Sequence, residues 1–77
     1  MGYKESIEKL RNRCVKGDVV EFCKMVPCST MIFYSACKKE DWQALTPTEL
    51  AVINSAFLFF KKRDEMAEAT KVLAEEL

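Results

Sequence analysis

Histidine is missing altogether from these 77 residues. Its absence removes the commonest general base and the commonest nitrogen ligand for metals. Glycine and proline number two each. So few turn formers cannot supply the repeated tight turns of an all-β sandwich. Gly2 and Gly17 alone cannot build a glycine-rich phosphate loop. No apolar run approaches the roughly 20 residues of a membrane span. The longest, residues 50–60, is interrupted by Asn54 and Ser55. The N-terminal stretch is charged and amphipathic, so no secretory leader is expected. These absences predict a soluble cytoplasmic protein with no membrane partner.

Catalytic constellations are equally scarce. No serine nucleophile motif is present, and no base stands out to activate a cysteine. The paired carboxylates Glu40-Asp41 and Glu75-Glu76 are adjacent in sequence, as on a solvated surface. The expectation is a protein that is not an enzyme and carries no cofactor.

Four cysteines are present, at positions 14, 23, 28 and 37. Structural zinc sites use close cysteine or histidine pairs that grip the metal from one tight turn. Here Cys23 and Cys28 form the one near pair, so the spacing is a weak metal signal and no metal site is assigned. Two disulfides would need an oxidising compartment. Buried thiols filling small core spaces are the simpler reading.

What remains is a globular composition, 49% hydrophobic and 31% charged. The length fits one domain, residues 1–77, near the lower size at which a single core holds unaided. Alanine, leucine, glutamate and lysine are common and favour helix. Twelve basic and twelve acidic side chains balance overall, yet residues 1–39 hold eight Lys/Arg and four Asp/Glu, and residues 40–77 the reverse. A basic first half suits a polar partner such as nucleic acid, or attraction to the acidic second half.

Apolar spacing places Tyr3, Ile7, Leu10 and Cys14 on one face of a first helix, with Gly17 as its stop. Asp18 and Glu21 read as a capping box for a second helix, which would bury Val19, Phe22, Cys23 and Val26 and end before Pro27. Ser29 is the next cap, followed by a helix over residues 30–38 with Phe33, Ala36 and Cys37 inward. A strand through residues 31–34 is the rival, but it has no partner strand to satisfy its backbone. Trp42 is expected to pin the following polar connector to the core. Thr46-Pro47-Thr48-Glu49 combines a capping box with proline at the first helical position. A long C-terminal helix should therefore run over about 47–75. Leu50, Ile53, Phe57 and Phe60 form one stripe on it, and Val52, Ala56 and Phe59 a second. The expected fold is all-α: a small single-domain bundle of about four helices.

The C-terminal helix is apolar nearly all round through residue 60, which predicts that a partner or second subunit covers part of it. Leu58, Phe59, Phe60, Met66 and Leu73 are the expected interface residues, and a homodimer the expected assembly.

Residues 18–39, DVVEFCKMVPCSTMIFYSACKK, resemble a helix-turn-helix unit of the Cro/repressor type. Phe22 and Cys23 match the inward and small positions of the first helix, Cys28 the apolar turn residue, Ser29 the cap, and Phe33 with Cys37 the buried side of the recognition helix. The resemblance implies a small DNA-binding regulator. Thr30, Met31, Tyr34 and Ser35 would face the groove, while Arg11, Arg13, Lys24, Lys38 and Lys39 would meet phosphates of double-stranded DNA. Pro27 departs from the family's turn glycine, and proline cannot adopt positive φ, so this turn must be built differently. The outward side chains offer methionine and tyrosine in place of the usual Arg, Asn or Gln. The alternative expectation is a helical protein–protein interaction module that uses Met31, Ile32 and Tyr34 as contact anchors.

Overall fold

A computed structural model describes residues 2–77. Its elements are four α-helices, α1 (Tyr3–Arg13), α2 (Asp18–Met25), α3 (Thr30–Cys37) and α4 (Pro47–Glu75), with a short 3-10 turn at Trp42–Ala44. No strand occurs among the described residues. The protein is an all-α single-domain bundle with a long C-terminal helix.

Phe22 of α2 organises the core. Its ring meets Phe33 of α3 at 5.4 Å and Phe59 and Phe60 of α4 at 5.3 and 5.8 Å between centroids. Tyr3, Ile7 and Leu10 of α1 and Val52, Ile53 and Ala56 of α4 close round these rings. Burying each large side chain contributes about 1.5–3 kcal/mol, so these helices cohere chiefly through a shared aromatic centre. The Tyr3 hydroxyl donates to the Ala36 carbonyl at 2.7 Å, tying α1 to α3. Burial and the nearby Cys37 and Glu49 push that phenol up to about 12, so it remains a donor at neutral pH. Trp42 lies edge-on against the Tyr3 ring at 4.6 Å and so attaches the connector to α1, although its own ring is partly exposed.

Several local expectations are corrected. α1 stops at Arg13, and Gly17, at φ 95°, directly precedes α2. Asp18 is the first residue of α2 and not its cap. Its carboxylate instead accepts from the Val15 N–H at 3.0 Å and from the Arg63 guanidinium at 2.9 Å. Ser29 occupies the cap position of α3 without a side-chain capping bond. In α4 the buried stripe is Glu49, Val52, Ile53, Ala56 and Phe60, while Leu50 and Phe57 are exposed. The Thr46 box forms as expected: the Glu49 N–H donates to Thr46 Oγ1 at 3.2 Å and the Thr46 N–H to Glu49 Oε1 at 2.8 Å.

At about 1.5 Å per residue, the 29 residues of α4 run for about 43 Å, close to the molecule's longest dimension of 49 Å. Its first half packs on α2 and α3. Every residue from 61 to 77 is exposed, and the helix leaves the body behind.

Candidate nucleic-acid interface

The turn between α2 and α3 is built around Cys23. The Cys28 N–H donates to the Cys23 carbonyl at 2.8 Å. The Cys23 thiol donates to the Ser29 carbonyl at 3.6 Å. No residue here needs positive φ, and this geometry accommodates Pro27. Burial, together with the hydrogen bond to Cys28, pushes the Cys23 thiol up to about 11, which suits a structural donor and not a nucleophile. Burial also raises Cys14 and Cys37, with Arg11 opposing both shifts. All four cysteines are free. No group of three or more His, Cys, Asp or Glu side chains converges among the described residues.

Fixed by this turn and by Phe33 and Ala36, α3 turns the opposite side outward. Met31 is 77% exposed and Tyr34 45%, with Lys38 exposed beyond them and Thr30 half-buried at the start. α1 lies alongside. Arg11 lines one cleft with Lys4, Glu8, Asn12, Cys37 and Lys38, and a second, smaller one with Cys14, Phe33 and Tyr34. Arg11, far off in sequence, therefore shares one surface with Tyr34 and Lys38. No ion pair within 4.0 Å engages Arg11 or Lys38 among the described residues. Residues 22–39 contain three lysines and no acidic side chain. Asn12, on the same cleft, escaped the sequence reading because a neutral amide beside two arginines carries no pattern of its own.

Other expected contact residues are engaged elsewhere. Arg13 makes two bonds to Asp64, at 2.7 and 3.0 Å, and its guanidinium covers the Phe60 ring at 4.6 Å. Lys24 lies 3.5 Å from Glu21. Ser35 is exposed, but its hydroxyl donates to Glu49 Oε2 at 2.8 Å, and Lys39 stands 3.7 Å from the same carboxylate. The bonds from Thr46 and Ser35, with Lys39 nearby, hold the Glu49 carboxyl below its ordinary range. Ser35 and Lys39 thus serve the α3–α4 joint. Expected interface residue Phe60 is buried, because it stacks under Arg13 and against Phe22, and it presents nothing to a partner. Leu58, Met66 and Leu73 are exposed, and Phe59 is half-buried beneath Arg63.

No helix among the described residues is long and apolar enough to cross a membrane. No family model, curated protein or solved structure matches the chain.

Proposed function

We propose that this chain is a small DNA-binding regulator of helix-turn-helix type, with α3 presented to double-stranded DNA. The observation carrying this reading is the surface shared by α1 and α3. Its cations, Arg11 and Lys38, are not consumed by ion pairs among the described residues, and no acid interrupts residues 22–39. Four acids elsewhere are drawn aside, Asp18 to Arg63, Asp64 to Arg13, Glu40 to Lys4 and Glu49 to Lys39, while Glu8 shares the cleft with Arg11 and Lys38. On this reading Thr30, Met31 and Tyr34 meet the groove, the first two by apolar contact with thymine methyl groups. Arg11 and Lys38 neutralise phosphates on either side. With few phosphate contacts and no net charge, binding is weak and strongly salt-dependent.

The test is a salt series of binding to mixed-sequence duplex. Arg11→Gln and Lys38→Gln should each weaken binding and reduce the slope of log K against log salt by about one. Absence of binding at low salt, or affinity indifferent to salt, would refute the reading.

The exposure of Met31 favours a second reading, in which α3 grips a protein partner through an apolar patch. Replacing Met31 and Tyr34 together by lysine separates the two. The double variant should bind non-specific duplex more tightly, whereas a protein interface centred there would be abolished.

A further inference from the structure

The bare half of α4 carries an ordered surface of its own. Where it leaves the body, Met25 of α2 joins Phe59, Lys62, Arg63, Met66 and Ala67 to form an open, largely apolar groove of about 680 Å³. At about 3.6 residues per turn, positions 59, 66, 70, 73 and 77 fall on one side of the helix. The groove therefore continues along α4 as a stripe of Phe59, Met66, Thr70, Leu73 and Leu77. Met66 is 71% exposed and Leu73 64%. Most helices in proteins draw their stability from packing one face, yet every residue of this stretch from 61 onward is exposed.

We infer that residues 59–77 pair antiparallel with the same segment of a second copy of this chain. The order of charges selects both the occupant and the direction. Lys61, Lys62 and Arg63 open the segment, Glu75 and Glu76 close it, and Lys71 lies between acids. An antiparallel pairing centred near residue 68 sets the basic opening of each copy beside the acidic end of the other. Lys62 then flanks Glu76 of the second copy, and Leu73 and Leu77 of each copy enter the other's groove beside Met66 and Phe59. A parallel pairing would place lysine beside lysine and glutamate beside glutamate, which is unfavourable. Glu68, which would meet its own copy at the centre, lies on the opposite side of the helix from the stripe. The contact is isologous, with the same patch used twice about a two-fold axis, so it closes at two copies.

The inference does not rest on DNA binding, because its readout is mass in the absence of nucleic acid. Sedimentation equilibrium of the full chain should show a reversible monomer–dimer equilibrium. Leu73→Glu should weaken it by about a hundredfold or more while leaving the helical circular dichroism of the body in place, since Leu73 lies outside the core. Lys62→Glu and Glu76→Lys should each weaken it roughly threefold to tenfold, and the two together should restore it. A monomer at about 0.5 mM would assign this face to a different partner and overturn the inference. Dimerisation indifferent to Leu73→Glu, or a charge swap that does not restore it, would overturn it as well.

Discussion

The two halves of α4 are one continuous helix in two environments. Residues 47–60 supply the bundle with Val52, Ile53, Ala56 and Phe60, all buried, and are held at their start by the Thr46 box. Residues 61–77 touch their own body only near the exit, where Arg63 reaches Asp18 and Asp64 reaches Arg13. The first half is stabilised by burial, whereas beyond those ion pairs the second has only its intrinsic helix preference. Helicity therefore says nothing about which residues hold the molecule together, and substitutions in the two halves should differ sharply in effect.

The largest effect belongs to the centre of the packed region. Phe22→Ala removes a ring in contact with Phe33, Phe59 and Phe60 at once. The expected loss is about 3–5 kcal/mol, comparable to the total stability of about 5 kcal/mol available to so small a domain. Thermal unfolding followed by circular dichroism should show the variant largely unfolded at room temperature. A variant that keeps a cooperative transition within a few degrees of the parent would contradict a core organised around Phe22.

An intermediate effect is expected at the joint between α3 and α4. The Glu49 carboxylate accepts from Thr46 and Ser35 and faces Lys39. Its folded pKa lies below the ordinary glutamate value of 4.5, with the backbone bond from Thr46 as the main cause. Asp18 is shifted the same way, chiefly by the bond from Arg63. Both groups bind protons more readily in the unfolded chain. Their stabilisation is therefore complete above the ordinary carboxylate range and is lost as pH falls through the lower folded values. Urea midpoints measured from pH 7 to 3 should fall at the acid end. Glu49→Gln should cost about 1–2 kcal/mol at pH 7 and flatten the acid limb. An unchanged limb would show that Glu49 titrates alike in both states.

How much of this was legible beforehand depended on distance along the chain. The Thr46–Glu49 box was readable because its two bonds join residues three apart. The inward faces of α1, α2 and α3 followed from spacing, since Ile7, Leu10, Phe22 and Phe33 recur with helical period. Spacing could not separate Phe57 from Phe60, which are equally apolar; only the position of α2 buries one and exposes the other. Asp18 was read as a cap because a local pattern was present, while its partner Arg63 lies 45 residues away. Ser35 is exposed as expected, but its hydroxyl is engaged by Glu49 of another helix, which no local pattern could show. At the proposed DNA surface, Arg11 was named individually, but its meeting with Tyr34 and Lys38 is a product of how α1 lies against α3.

The smallest effect is expected in the bare half. Val72→Ala removes methyl groups from an exposed position on the side of the helix away from the apolar stripe. In dilute solution, where any self-association is negligible, there is no cavity to open and no buried partner to strand. Alanine also has the higher helix preference. The urea midpoint should therefore move by no more than about 0.5 kcal/mol in equivalent stability, in either direction. Repeating the measurement at high protein concentration sharpens the comparison with Phe22. If residues 59–77 pair between copies, stability rises with concentration by mass action, while Val72, on the side away from the seam, should stay neutral at both concentrations. A loss above about 1 kcal/mol already present at low concentration would mean that the far half of α4 is held by its own body after all.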